Sequence, residues 1–530
     1  MPDIAILNAR IRTLDPSRPW ATAVATKDGA VVAVGDNDEV RRACPPGAEV
    51  IDGQGMAVVP GLTDSHQHPF MGAVETRGVD LAGASTVDEV RERMAAEHRR
   101  CGDGAWVTGY SLEYSVFEGM TTTGDLFDRA VGGAPALMTF FDFHTALATP
   151  AALVAAGVDG PRAFEDSSEI VCINGRPTGE LREGAVGLVA DVVPLPTGEE
   201  RLQCIADTLA AMNRVGVTAI HMMDGTLATP DECRALEESG RLYCRQVVPF
   251  TVQPTAEDDL IEAAIAAGAQ QGRLWRSGWA KFFIDGVVET GTAWLEEPDT
   301  LGRGMEPNWP DPERYAATVK RFAEAGFPCI THAIGDRGIR CALDAYAASP
   351  RPARGPHRVE HIETAPDALI ARFAPEGVVA SMQANHMQWI PPGRDDPWCE
   401  ALGPVRRDRG WRIGDLQRSG AKVALGSDWP VAGYDPREGM GFARLRRAPG
   451  RRERESFTPS QIISGIEALE GYTVNAAAAV SDEAVAGRIA PGYRGDFTAF
   501  ADDPVECDAD DLMELEVVLT VVDGRVVHRA

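Results

Sequence analysis

Short apolar runs alternate with helical stretches through the middle of the chain. The runs are AVVPGLTDSHQH from Ala57, VTAIHMM from Val217, LYCRQVVPF from Leu242 and WAKFFIDG from Trp279. PCITHAIGD from Pro328, HRVEHIE from His357, VVASMQA from Val378 and KVALGSD from Lys422 complete the set. Stretches such as ERYAATVKRFAEAG separate several of them with helical patterning. Eight strand–helix units predict a parallel (β/α)8 TIM-type barrel of the α/β class. The segment from Arg77 to Thr197 is too long for an ordinary strand–helix connection and reads as an inserted subdomain.

Both ends of the chain have a different texture. Residues from Ile4 to about Val59 read as short strands with glycine turns. Near the C-terminus FTAFA and LEVVLTVVDGRVVHRA follow, and Asp523-Gly524 between apolar runs marks a hairpin. A small β-sandwich built from both termini leaves fewer strand edges exposed than two separate appendages. The expected organisation is a sandwich from 1–59 and 480–530, a barrel from 60–76 and 198–479, and an insert over 77–197.

Composition narrows the function. The chain has 530 residues, 44% hydrophobic and 25% charged, which excludes disorder as a description of the whole. Its 79 acidic residues against 51 basic ones give a formal charge of −28. That balance argues against nucleic acid and against an anionic membrane surface as partners. No apolar run approaches the ~20 residues of a membrane span. The N-terminus lacks a signal-peptide pattern, and the ten cysteines form no C-x-x-C pair, so reduced thiols in a cytoplasm are expected. A small-molecule substrate is the expected partner, and a homodimer the candidate assembly.

Polar residues gather at the ends of the runs, where a barrel keeps its active face. His66 and His68 are two apart on a strand and aim at one point, with Asp64 one step below; such a pair suits a divalent metal. Lys281 sits among apolar neighbours in a chain whose only other lysines are Lys27, Lys320 and Lys422. Unlike arginine, a buried lysine can shed its proton, and its amine can then take up CO2 as a carbamate able to bridge metals. Asp285 has the same parity as Lys281. His332 and His361 end successive runs, and Asp428 ends the last, where a carboxylate can ligate metal or move a proton. No nucleophile elbow, P-loop or dinucleotide fingerprint competes.

These motifs resemble the metal-dependent amidohydrolase superfamily, and more closely its amidohydrolase family 3 branch, which includes N-substituted formamide deformylase-like proteins. The stretches that carry the resemblance are VVPGLTDSHQH, GRPTGELRE, GVTAIHMMD, KFFIDG, HAIGD, RVEHIE, ALGSDWPV and GRIAPGYRGDF, spread over nearly the whole chain. The resemblance implies a barrel with a β-sandwich shared by both termini. It also implies His66, His68, His332 and His361 as metal ligands, Lys281 as a carboxylated bridging ligand, and Asp428 as ligand and acid/base. Two departures stand out. The branch's H-x-x-x-x-N-S stretch reads His144-Thr-Ala-Leu-Ala-Thr-Pro150, and a proline usual after S-x-Q is replaced in Ser381-Met-Gln383-Ala384.

The expected activity is metal-dependent hydrolysis of a non-peptide C–N bond, amide or N-acyl/N-formyl, in a small molecule. One or two divalent ions, Zn²⁺ first among them, would activate water, with Asp428 moving the proton. His144, Gln383, Asp285, Trp294 and Trp429 are the candidates for holding substrate. Deaminase, other hydrolase or isomerase chemistry at the same site is the alternative, and a non-catalytic regulatory protein a further one. The basic stretch from Arg444 to Arg454 is open to two readings: steering of an anionic substrate, or a solvated loop and helix start.

Overall fold

The computed structural model describes residues 3–102, 104–141, 145–164 and 168–530, apart from the side chain of Glu183. The chain divides into two compact units, Met1–Pro69 with Ala206–Ala530, and Phe70–Ile205.

An eight-stranded parallel sheet organises the first unit. Its strands are β1 (Leu62–Gln67), β2 (Val217–Met222), β3 (Arg245–Thr251), β4 (Trp275–Phe283), β5 (Cys329–Ala333), β6 (Arg358–His361), β7 (Val379–Met382) and β8 (Val423–Leu425). Each pairs in parallel with the next in chain order. The ring is drawn together past the end of β8, where Asp428 N–H donates to the His66 carbonyl at 2.7 Å and His68 N–H to the Trp429 carbonyl at 2.8 Å. Asp64 adds a side-chain staple, accepting from Ser427 N–H at 3.0 Å and Ser427 Oγ–H at 2.6 Å. The fold is a TIM-type barrel, as the alternation of runs predicts.

The helices outside the barrel form for local reasons. Pro312–Glu324 starts at Asp311, whose carboxylate accepts from the N–H groups of Glu313 and Arg314 at 3.0 and 3.3 Å. Pro312 opens the first turn, where its missing N–H is no loss. Tyr315, Val319, Phe322 and Ala323 form one buried stripe. That stripe joins the apolar cluster holding Phe282, Trp309 and Phe327.

Two further sheets belong to the same unit. One has the order Ala30–Gly35, Ala23–Lys27, Ile4–Leu7, Glu49–Asp52. The other has the order Arg525–Arg529, Val517–Val522, Phe497–Phe500, Ala57–Pro60, Arg10–Arg12, Trp20–Ala21. Within it Ala57–Pro60 pairs antiparallel with Phe497–Phe500, so N- and C-terminal strands share one sheet. Ile4, Ile6 and Val24 of the first sheet share a core with Val58, Phe497 and Val521 of the second. Asp523 and Gly524 turn the last hairpin with φ of 56° and 72°, the two positive values a tight two-residue turn requires.

The second unit has its own six-stranded mixed sheet, ordered Glu169–Ile173, Arg176–Arg182, Thr145–Ala148, Ala136–Phe140, Val107–Leu112, Val79–Asp80. Apolar clusters around Phe127 and Phe140 and around Leu153 and Leu181 cover it. Among the described residues no helix is long and apolar enough to cross a membrane.

Candidate metal centre

The C-terminal ends of the barrel strands bring five of the sequence-predicted side chains together. His66 is on β1 and His68 just beyond it; His332 is on β5, His361 ends β6, and Asp428 follows β8. The Nε2 atoms of His66 and His68 both lie 3.2 Å from Asp428 Oδ1. His361 Nδ1 lies 3.9 Å from the other oxygen, Oδ2. The His332 and His361 rings are 4.4 Å apart, and those of His66 and His361 4.7 Å. Donor atoms of His66, His361 and Asp428 all lie within 4.8 Å of one another.

The backbone bends to achieve this. His361 has φ of 73°, Ile362 of 50° and Asp428 of 62°. Left-handed conformations at such residues cost of order 1–3 kcal/mol each and persist only where surroundings enforce them. Here the enforcement is visible: the Asp428 amide is tied to His66, and the Ile362 amide to the Ala333 carbonyl at 3.2 Å. The bend lets Glu360 and its neighbour His361 both reach the interior, which strict alternation along a strand forbids.

Tautomers are fixed from behind. His66 Nδ1 faces Glu360 Oε2 at 2.6 Å, leaving Nε2 for the centre. His332 Nε2 donates to the Gly286 carbonyl at 3.1 Å, leaving Nδ1. Burial, then the charge of Lys281, holds the His332 pKa down at about 3. Burial, then His332, holds His361 well below the usual imidazole range. Both rings are therefore neutral at pH 7, as ligation requires. Burial pushes the Asp428 carboxyl up, but His66, with hydrogen bonds from His66 and His68, outweighs it and keeps Asp428 ionised.

Lys281 is wholly buried on β4, and its Nζ has no hydrogen-bond partner among the described residues. It lies 4.6 Å from the centroid of Phe283. Burial pulls its pKa from 10.5 to about 8, against the opposing pull of Glu360 and Asp428.

The donor set fits a divalent ion. It offers the neutral imidazoles of His332 and His361, the ring nitrogens of His66 and His68 and an ionised carboxylate, and among the described residues His361 Nδ1 is buried without a hydrogen-bond partner.

The substrate candidates separate. Gln383 follows β7 and is fully buried, with both amide atoms unpartnered among the described residues. Asp285 is spoken for: it accepts from Ile334 N–H at 3.0 Å, Gly335 N–H at 2.8 Å and Trp294 N–H at 2.9 Å. Its carboxylate braces the loops after β4 and β5, next to His332 Nε2 at 3.7 Å, and so positions the site where substrate contact was expected. Trp294 is buried and stacks under Arg337 at 4.7 Å; Trp429 is buried against Tyr434 at 5.6 Å. His144 lies outside the described residues.

Several residues were not singled out from sequence. Glu360 and Arg358 form a fully buried ion pair, Nε to Oε1 at 3.0 Å. The Arg358 guanidinium also reaches the Ser65 carbonyl at 2.6 Å, Ser381 Oγ at 3.2 Å and His221 Nδ1 at 3.0 Å. His386, in the turn after β7, places Nε2 3.7 Å from Asp428 Oδ2 and Nδ1 3.7 Å from Glu363 Oε1. Two charges in the run HRVEHIE were a signal, because apolar strands rarely spend buried positions on unpaired charge.

Much of the basic stretch is tied into the fold. Arg444 donates to the Pro504 and Cys507 carbonyls, Arg447 pairs with Asp510 at 2.6 Å, and Arg452 pairs with Asp508 and Asp511. Arg446 is buried and donates to the Phe457, Trp411 and Gly410 carbonyls.

Comparison with known proteins agrees with this geometry. The chain is 27% identical over 519 residues to a putative amidohydrolase, YtcJ, of Bacillus subtilis (strain 168), covering 96% of each chain. It is 28% identical to an N-substituted formamide deformylase of Arthrobacter pascens, covering 99% of this chain and 98% of that one. An uncharacterized metal-dependent hydrolase from Pyrococcus horikoshii OT3 superposes with a TM-score of 0.76 at 22% identity, over 96% of this chain and 99% of the other. The amidohydrolase family model matches residues 49–528, and the chain belongs to that family of metal-dependent hydrolases acting on carbon–nitrogen bonds other than peptide bonds.

Proposed function

We propose that the protein hydrolyses an amide, N-acyl or N-formyl bond of a small molecule, with Asp428 as the proton-transfer group. The observation that carries this is the Asp428 carboxylate. One oxygen meets two imidazole nitrogens at 3.2 Å, and the other faces His361 and His386. His66, His68, His332, His361, Lys281 and Asp428 would hold one or two divalent ions, with Zn²⁺ favoured by the imidazole-rich set. Such an ion supplies Lewis acidity toward water and toward a substrate carbonyl. The unpartnered Lys281 amine supports a CO2-derived carbamate there: the neutral amine adds to CO2 and releases one proton.

The chain's own residues do the rest. Asp428 takes a proton from water on one side of the centre and returns it to the departing nitrogen. Glu360 holds His66 in the tautomer that presents Nε2. Asp285 fixes the loops that carry His332 and Trp294. Gln383, with both amide atoms free, orients the substrate. The N-formyl bond is supported by the kinship with the Arthrobacter pascens deformylase.

The test is Asp428→Asn, assayed on a panel of N-formyl and N-acyl amines with carboxylate and ammonia detected separately. Turnover should fall by about 10²–10⁴-fold, the range for general acid–base groups, while metal stays on the histidines. Full activity of the variant overturns the assignment. Ammonia released without carboxylate replaces deacylation by deamination.

A further inference from the structure

The opposite end of the barrel carries a second polar site. A cavity of about 130 Å³ opens there, bounded by the first residues of β1 to β4 and by the segment 477–496. Five arginines line it: Arg245, Arg273, Arg276, Arg488 and Arg494. Only Asp482 and Asp496 face them from the lining, with Asp523 behind. A chain with a formal charge of −28 has thus gathered an excess of guanidinium groups around one cavity.

The pairing is uneven. Arg245 is satisfied, with Asp496 at 2.6 Å and Asp523 at 3.0 Å, and Arg273 pairs with Asp523. Arg276 and Arg494 share one atom, Asp482 Oδ2, each at 2.8 Å, and Arg276 also donates to the Val480 carbonyl at 2.7 Å. Arg488 has no carboxylate within ion-pair distance among the described residues, and its Nε is buried without a hydrogen-bond partner. Trp275 Nε1 is a second buried donor without a partner. Gln246, 1% exposed, carries a buried amide oxygen that is likewise unpartnered. Unpaired buried donors each cost about 1–3 kcal/mol, and guanidinium groups are matched in shape to carboxylate and phosphate oxygens. The volume limits the occupant to the size of phosphate or a short carboxylate. Barrel bottoms ordinarily serve stability.

We propose that this cavity binds a small oxyanion, a phosphate or carboxylate group, at a site separate from the hydrolytic centre. Arg276, Arg488 and Arg494 supply the charge, and Trp275 a neutral donor.

Titration calorimetry of the holoenzyme with sodium phosphate, and separately with sodium acetate, tests this at constant ionic strength. One saturable site is expected for at least one of the two anions, and the better of them names the ligand class. Arg488→Gln should weaken binding at least tenfold and leave hydrolysis unchanged. Gln246→Glu provides a variant independent of arginine loss. Its carboxylate occupies the cavity, so it should raise the melting temperature without added anion and abolish anion binding. Absence of saturable binding of both anions overturns the proposal. So does undiminished binding in both variants, which would place the anion at the metal centre.

Discussion

Replacing Glu360 by glutamine removes a charge while keeping the volume. The carboxylate is fully buried and accepts from Arg358 Nε at 3.0 Å and Nη2 at 3.2 Å, with His66 Nδ1 at 2.6 Å. Burial alone pushes its pKa up. The charge of Arg358, followed by the hydrogen bond and charge of His66, outweighs burial and brings it from 4.5 to about 2. At 1.36 kcal/mol per pH unit, that preference for the charged form is worth about 3 kcal/mol. Glutamine mimics the protonated acid, so Glu360→Gln should lose about 3 kcal/mol, near the lower end for breaking a buried pair. The sign follows from the depressed pKa. The stabilisation is present above pH ~4.5 and lost as pH falls toward 2, so the deficit should narrow on acidification. Urea unfolding of the metal-free protein at pH 7 and below pH 4.5 measures this. Competition with a chelating dye measures the second effect: His66 loses its orienting partner, and metal should bind about 10–100-fold more weakly. A variant within 0.5 kcal/mol of wild type, with unchanged metal affinity, would refute the view that Glu360 balances Arg358 and orients His66 (a surface-like change of about that size is the ordinary background).

Other outcomes follow from the same structure. Asp285→Ala leaves three buried amides unpaired; at about 1–3 kcal/mol each it should destabilise the protein and lower kcat, read by thermal unfolding and steady-state rates. His357 accepts from Cys329 N–H at 3.0 Å, and burial lowers its pKa from 6.5 to about 4. The unfolded chain binds this proton more readily, so stability falls as pH drops below about 6.5. His357→Gln should remove about 2 kcal/mol of the difference between urea curves at pH 7 and pH 5. Arg451→Gln/Arg452→Gln/Arg454→Gln should leave KM and its salt dependence unchanged, because Arg452 serves Asp508 and Asp511; a KM that rises and loses its salt dependence would support the steering reading.

The barrel was legible because six of its eight strands lie within the apolar runs and the other two, β3 and β4, overlap theirs. The H-x-H pair, His332, His361 and Asp428 were legible as polar residues at or just past the ends of apolar stretches. Lys281 was legible from scarcity in an arginine-rich chain. The partners of Asp285 were not legible, because parity says where a carboxylate points and nothing about which amides await it. Glu360 was missed because alternation puts it out of phase with His361, and only the positive φ at His361 and Ile362 lets both turn inward. His386 was missed because it lies in the short 3-10 helix Ala384–Trp389 after β7, too brief for a period to assign a face.

The sequence by itself determined the order of the eight barrel runs, the β domain shared by both termini, and which polar residues lie at or near the ends of those runs. These follow from patterns that repeat along one chain. Tertiary structure alone decided the partners. It gave Arg358 to Glu360, Asp285 to three backbone amides and the basic stretch to the acids of 508–511. It also brought five arginines from distant segments around one cavity beneath the barrel. The reason is physical: a period fixes the direction of a side chain relative to its own backbone, whereas charge pairing and burial depend on what the closed barrel sets opposite it.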